Sequence, residues 1–374
     1  MVTLPLDGVR VLDLSRVLAG PFCSMTLGDL GAGVIKVERP GTGDETRGWG
    51  PPFDARGQSA YFLSTNRNKV SLAASFTDPA DQALLLELIA GADVVIDNFL
   101  PGVLSRYGLD KRMLLAAHPR LIWCTIAGFP DSARPGYDFV VQAESGWMAI
   151  TGPIDGAPTK VGVALVDVMA GKDATTAILA ALAGRDRGVQ VERSLEITLA
   201  GSAAAALVNV AQNTLVTGAD AARWGNAHPN LVPYQLFDAA DRPIVVAVGS
   251  DAQWQSLIAA LGLTDLAADP GLRTNAGRLA ARDSIVDRVA TALQSRPAAE
   301  WLDLLGARGV PCGLVRSVRE ALADTEASAE TGVAPAAGGR IRRPPPLLDE
   351  HGKEIRKMQW SALDHLPIPL QRGV

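Results

Sequence analysis

Short β-branched apolar runs alternate with helical stretches through the first third of the chain, and this alternation constrains the fold more than any other feature. Residues 9–14 (VRVLDL) read as a strand, 22–30 as a helix and, after Gly31 and Gly33, 34–38 as a second strand. The pattern recurs with a helix at 80–91, a strand at 93–96, a helix beginning at 104–107 and a strand at 121–126. Strands that alternate with helices build a mostly parallel sheet with helices on both faces. The turn after the first strand, residues 15–21 (SRVLAGP), lacks a GxGxxG pattern, which disfavours nicotinamide and flavin dehydrogenases.

Beyond Thr151 a Gly/Pro-rich loop leads into the apolar run 161–166 and then a small-residue helix over about 168–182. A second apolar helix is expected from 194 to about 216. At His228 the character changes: two short strands flank a turn at 239–242, and amphipathic helices follow at 252–261, 284–293 and 298–305. The Gly-, Arg- and Pro-rich stretch 335–346 reads as an extended connector. These segments predict an α/β chain with a large domain over 1–190, to which 330–374 returns. A helical linker at 191–226 and a smaller α+β domain at 227–325 complete it.

Composition narrows the function classes. Hydrophobic residues make up 48% and charged residues 20%, ordinary for a folded globular chain. A net charge of −5 gives no positive field for nucleic acid. Cys23, Cys124 and Cys312 are dispersed, so neither a disulfide framework nor a cysteine metal site is expected, and a reducing cytoplasm fits. Asp7, Arg10 and Asp13 interrupt any export signal. Residues 195–216 carry Glu196, Asn209, Gln212 and Asn213 and read as a buried helix rather than a membrane span.

The four histidines form no HExxH or triad arrangement, and no GxSxG elbow exists. Asp167 is the carboxylate to weigh, because it directly follows the apolar run 161–166 and directly precedes the long helix. Two readings stay open for it: an N-cap accepting a backbone N–H, or a nucleophile at a sheet's carboxyl edge and a helix amino terminus. Asn66, Arg67, Asn68 and Lys69, with Arg39 and Arg106, place polar and cationic groups near strand ends; converging, they would suit a polyphosphate, and singly they read as solvated surface charges. Glu144 reads either as an acceptor-site contact or as a helix-surface charge.

The ordered segments LDGVRVLDLSRVLAGPFCSMTLGDLGAGVIKVERPGTGDETR, NRNK, DNFLPG, GYDFVVQAESG, VGVALVDVMAG, HPNLVPYQLF and VPCGLV closely resemble the family III CoA-transferases, the CaiB/BaiF or formyl-CoA and carnitine-CoA transferase type, from about Leu6 to about Asp324. The resemblance implies that Asp167 is the catalytic carboxylate. It implies CoA contacts from Val17, Leu18, Ala19, Arg39, Lys69, Asn98, Phe99 and Arg106, with Tyr137 beside the active site. It also implies a Rossmann-like large domain, a small domain and two subunits interlocked like chain links, with no tightly bound cofactor and no metal. The connectors after Leu182 and before Leu347 would be the arms of the ring, and the active site would lie between domains of different subunits. The substrates are then an acyl-CoA thioester and a carboxylic acid, exchanged through an aspartyl mixed anhydride and an aspartyl-CoA thioester. A carboxylate with the ordinary pKa near 4 is fully ionised at neutral pH and attacks without a general base.

Two alternatives accompany this reading. One is an α-methylacyl-CoA racemase, but racemases of this type have His where this chain has Tyr137, and a phenol with pKa near 10 is a poor base at pH 7. The other is a catalytically silent CoA-binding homologue, against which Asp167 speaks. Leu18 stands where formyl-CoA transferase has Gln, and Val248, Gly249 and Ser250 stand where it has a run of glycines. Both departures turn the expectation from formate and oxalate towards a larger or more apolar acyl group.

Overall fold

The computed structural model describes residues 3–367 and divides into two compact units. The first holds the chain up to Trp147, then Val161–Ala219 and the segment from Thr325 onwards; the second holds Met148–Lys160 and Asp220–Asp324.

The first unit is built on six strands: β1 (Arg10–Asp13), β2 (Gly33–Glu38), β3 (Lys69–Ala73), β4 (Val94–Asp97), β5 (Ile122–Ala127) and β6 (Ser194–Thr198). Their order is β3-β2-β1-β4-β5-β6 and every pairing is parallel. The chain winds outwards from β1 in one direction and from β4 in the other, so the order reverses between them, where open parallel sheets place their ligand crevice. Its helices are α1 (Ala19–Asp29), α2 (Ala60–Leu63), α3 (Pro79–Ala90), α4 (Lys111–Ala117), α5 (Asp138–Glu144), α7 (Leu165–Asp186), α8 (Leu199–Ala205) and α9 (Val208–Thr217), while α6 (Trp147–Ile150) belongs, but for Trp147, to the second unit.

Successive strand residues face opposite ways. Val11, Val34, Val94, Ile96 and Ile122 pack beneath α1 and α7, whereas Leu12, Ile35, Val70, Val95 and Trp123 pack beneath α3 and α4. A sheet buried on both faces explains the near-continuous apolar strands. Gly171 fixes how closely α7 approaches α1, because a Cβ there would stand 2.7 Å from the carbonyl oxygen of Ala19 and 3.1 Å from the Phe22 ring.

Three local readings of the sequence differ from the structure. The apolar run 161–166 forms no strand; α7 begins within it, at Leu165. The sixth strand is Ser194–Thr198, and the stretch expected as one helix continues as α8 and α9, the latter without a buried residue. An apolar run does not by itself separate strand from helix. Residues 104–107 are a single 3₁₀ turn ended by Gly108 in the left-handed conformation. Among the described residues no single helix is long and apolar enough to cross a membrane, and the α8–α9 pair that together passes that test is bent by 73°.

The segment from Thr325 docks on the open edge of the sheet through the NRNK residues. Asn68, itself left-handed at φ 60°, accepts the N–H groups of Arg342 (2.6 Å) and Arg343 (2.9 Å) and donates to the Arg340 carbonyl (2.8 Å). Arg67 forks onto Asp29 at 2.9 and 2.7 Å and donates to the Thr331 carbonyl. Further along, Asp349 Oδ1 accepts from Ala73 N–H (2.8 Å) and His351 Nδ1 from Ser71 N–H (3.3 Å). The edge donors of β3 are thereby covered, which blunts a surface prone to pairing with other chains.

The second unit is an antiparallel sheet of β7 (Tyr234–Asp238), β8 (Pro243–Ala247) and β9 (Cys312–Leu314) packed with helices around Trp254, Leu257, Ile258, Val289, Leu293 and Trp301.

Candidate active site

The first turn of α7 carries Asp167, two residues after the helix begins. It is therefore neither the N-cap, which is Ala164, nor the end of a strand. The orphan N–H groups of this turn are met from elsewhere. Asp138, the first residue of α5, accepts the Val166 N–H at 2.8 Å through Oδ1 and the Gln142 amide at 2.6 Å through Oδ2. Gln142 in turn accepts the Val161 N–H at 2.9 Å. Two buried side chains of α5 thus hold both the entry loop and the first turn of α7.

Asp167 is itself buried, and its pKa is raised from 3.8 to about 7, first by burial and second by the charge of Asp138. Among the described residues no cation or hydrogen bond offsets these effects. The expectation of a carboxylate fully ionised at neutral pH is therefore corrected: its environment withholds the partners that would stabilise the charge. The same carboxylates, Asp167 and Asp138, with Asp44 add to burial in pushing the Tyr61 phenol of α2 up to about 12, so that it stays protonated.

Asp167 lines a cavity of about 230 Å³ together with the β1–α1 turn, Asn98, Phe99, the 126–137 segment and Leu199. In that turn Val17 adopts φ 71°, a strained conformation for a β-branched residue, and its N–H faces both oxygens of Asp44 at 3.3 Å. Leu18 precedes α1, no side chain caps the helix, and Pro21 has no N–H to satisfy. Gly20 is required because a Cβ there would fall 2.2 Å from Ser15 Oγ. Asn98 accepts the Arg16 N–H (3.0 Å) and donates to the Arg16 carbonyl (2.7 Å), while the Phe99 ring lies 5.0 Å from the Arg16 guanidinium. Asn98 is thus engaged in fixing the turn. Across the cavity, Gly128 and Gly136 touch so closely that a Cβ on either would sit 2.6 Å from the other's Cα. Tyr137 follows at the rim, 58% exposed.

A second cavity of about 510 Å³ lies farther along the carboxyl ends of β1, β2 and β3, with Arg16, Phe99 and Leu100 lining both. Arg39, Ser75, Phe76 and Tyr107 border it, and Phe76 stands edge-on to Phe99 at 5.6 Å. The site is accordingly elongated, with an aromatic and cationic compartment at one end and the Asp167 carboxylate at the other.

Of the residues expected to bind CoA, Val17, Leu18, Ala19, Asn98 and Phe99 gather with Tyr137 and Asp167 around the smaller cavity. Arg39 opens on the larger one. Arg106 is exposed on the 3₁₀ turn and lines neither cavity, although Val103 and Tyr107 beside it border the larger. Lys69 belongs to neither. Its ammonium is fully buried and donates to Asp13 (3.1 Å), Pro21 O (2.9 Å) and Asn66 (2.9 Å), which uses all three of its protons and leaves none for a ligand. Burial, only partly offset by Asp13, lowers its pKa to about 8.

The sequence reading passed over Arg16, Asp138 and Arg134. Arg16 stands within the SRVLAGP turn and Asp138 next to Tyr137, but their placement is set by contacts 82 and 28 residues away, which no local pattern reveals.

A family model described as CoA-transferase family III matches residues 6–353. The chain is 40% identical to the succinyl-CoA:glutarate CoA-transferase of Mus musculus, over 94% of this chain and 86% of that protein. It is 38% identical to the succinate–glutarate CoA-transferase of Agrobacterium fabrum, over 94% of each. Among solved structures, a CaiB/BaiF family protein from Brucella suis superposes with a TM-score of 0.83 at 38% identity, covering 95% of this chain and 99% of that one.

Proposed function

Because the chain belongs to CoA-transferase family III, an enzyme family that moves CoA between acyl-CoA thioesters and carboxylates, we propose that Asp167 carries the transfer covalently. The observation that carries this reading is a buried carboxylate, unneutralised by any cation, facing one end of an elongated two-part cavity. The larger compartment would take the nucleotide end of acyl-CoA beside Arg39, and the smaller one the acyl thioester.

In the first step an Asp167 oxygen attacks the thioester carbonyl and CoA leaves as thiolate, giving a mixed anhydride. The thiolate then attacks the Asp167 carbonyl carbon, expelling the donor acid and forming an aspartyl-CoA thioester. The acceptor carboxylate attacks that thioester and releases the thiolate once more. The thiolate finally attacks the acceptor's acyl carbon, which yields the new acyl-CoA and frees Asp167. Each exchange replaces one activated acyl group by another, so the protein's task is to orient reactants, stabilise oxyanions and exclude water. The uncapped first turn of α1 at Ala19 and Gly20 supplies candidate backbone donors. With a pKa near 7, Asp167 is partly protonated at neutral pH and becomes more competent as pH rises.

Both named relatives act on succinate and glutarate, which favours a short dicarboxylic acid as substrate here. This is larger than formate, as Leu18 implied, but charged rather than apolar. A homodimer is supported by α9, where Val208, Leu215 and Val216 are exposed on a helix without a buried residue. Three free cysteines favour a reducing compartment, and the doubly wound strand order supports the Rossmann-like reading of the large domain.

Intact-protein mass spectrometry with a panel of acyl-CoAs tests the proposal. A CoA adduct on Asp167, absent from Asp167→Ala, is expected, and it should be lost to an aspartyl hydroxamate with hydroxylamine or to a reduced side chain with borohydride. Tight CoA binding without an adduct overturns covalent transfer, and α-proton exchange into deuterated water without an adduct would replace it by racemase-like chemistry.

A further inference from the structure

We propose that Arg134 holds the free carboxylate of a dicarboxylic substrate and so selects dicarboxylic over monocarboxylic acids in the Asp167 cavity. The inference rests on the CoA-transfer reading of that cavity and names the residue that would set its substrate class.

Arg134 stands on the loop that leaves β5 at Gly128 and returns at Gly136, where the two glycine backbones touch and pinch the loop shut. That closure places Ser132, Arg134 and Pro135 along the cavity wall, opposite the β1–α1 turn. The guanidinium lies over the Phe129 ring at 3.7 Å. A stacked guanidinium is fixed in plane while its donor edge stays available, the arrangement that suits forked recognition of a carboxylate.

Arg134 already holds such a group, because it donates to Glu144 at the end of α5. Both side chains of this pair are 49% exposed, and ion pairs so open to water contribute little. Glu144 therefore acts as a placeholder that an incoming substrate carboxylate displaces. Arg16, the other cation on the cavity wall, pairs with Glu45, stacks on Phe99 and has its backbone pinned by Asn98, while its Nε is buried without a hydrogen-bond partner; it stands at the junction with the larger cavity, which sets it towards the nucleotide end of the site.

The raised carboxyl of Asp167 is consistent with a guanidinium that does not pair with it. A guanidinium beside Asp167 would hold its carboxyl low, yet that carboxyl is raised, with no cation among the causes. Arg134 and Asp167 line the same cavity, and no charge of Arg134 is among the causes acting on the Asp167 carboxyl. A dicarboxylic acid whose near end meets Asp167 would present its far carboxylate to the cavity wall that carries Arg134.

The test compares glutarate with pentanoate, acids of equal chain length that differ in the second carboxylate, in the full-length wild type, Arg134→Gln, Arg134→Lys and Glu144→Gln. Removing a charge-assisted hydrogen bond should raise KM for glutarate about tenfold or more in Arg134→Gln while KM for pentanoate stays within about twofold. Arg134→Lys should recover part of the loss, and Glu144→Gln, which frees the guanidinium, should lower KM for glutarate. Calorimetric binding of the two acids to wild type and Arg134→Gln reads the same selectivity without turnover. An unchanged glutarate KM and affinity, or an equal loss for both acids, overturns the assignment. Selective glutarate binding that depends on Arg134 in a protein that transfers CoA to no acid would instead sink the transfer reading and leave the assignment standing.

Discussion

Two buried aspartates stand at the carboxyl end of the sheet region, and they are opposites. Asp13, at the end of β1, accepts from Ser15 N–H (2.9 Å), Ser15 Oγ, Ser24 Oγ (2.5 Å) and Lys69 (3.1 Å). Burial pushes its pKa up, but Lys69, Lys36 and the two serines more than compensate and hold it at about 2. Asp167 is buried too, yet its environment offers it no cation and a second carboxylate nearby, and it rises to about 7. Burial alone therefore does not make a reactive carboxylate. The cluster at Asp13 satisfies its charge and builds structure, whereas the first turn of α7 leaves a carboxylate without a compensating partner, as the proposed nucleophile requires.

The largest effect that separates the two sites is catalytic. Asp167→Ala should reduce CoA transfer by more than about 10⁴-fold, as expected for removal of a covalent nucleophile, with the protein still folded by circular dichroism. Residual transfer within a factor of about ten of wild type would deny Asp167 the role. Asp13→Asn should do the reverse. It leaves Lys69 buried without its countercharge, which costs about 3–5 kcal/mol of stability by urea unfolding. A change below about 1 kcal/mol would show that the cluster is not the keystone its geometry implies.

This contrast also marks what the sequence makes legible. The period of the apolar runs announces β1, α1, β2, β4 and β5, because each buries its own pattern locally. The resemblance singles out Asp167. Lys69 in NRNK has the sequence character of a phosphate ligand, but its partners Asp13 and Pro21 lie 56 and 48 residues away and bury it. Arg67 and Asn68 reach still farther, to carbonyls and amides at positions 331–343. Short β6 was hidden because Ser194–Thr198 runs without a break signal into the alanine-rich α8. Long-range polar pairing has no period, so local pattern cannot reveal it.

A smaller effect concerns stability. The folded pKa of Asp167 is raised from 3.8 to about 7, so its ionised form is disfavoured in the fold. The protein accordingly loses stability as pH climbs from about 4 to about 7, up to about 4 kcal/mol in total, and loses no more above that. Asp167→Asn removes this loss. Its melting temperature should match wild type near pH 4 and exceed it increasingly up to pH 7, then hold a constant margin. A variant less stable than wild type at pH 8 would mean that the carboxylate finds stabilising partners after all.

The finest distinction lies in what Asp138 does for Asp167. Its charge contributes to the raised pKa, and its Oδ1 holds the Val166 N–H that opens α7. Asp138→Asn keeps a carbonyl oxygen for Val166 but removes the charge, and it sets an amide against the Gln142 amide where a carboxylate oxygen stood. In the proposed mechanism only ionised Asp167 attacks, so wild-type transfer should rise with pH through a midpoint near 7. In Asp138→Asn that midpoint should fall, yet remain above 3.8, because burial is the larger cause and persists. A purely structural Asp138 would lower kcat without moving the midpoint; a midpoint that moved upwards would reverse the sign of the coupling. If the midpoint falls while the maximal rate also drops, Asp138 performs both tasks: it fixes where the nucleophile points and keeps its charge expensive enough to be reactive.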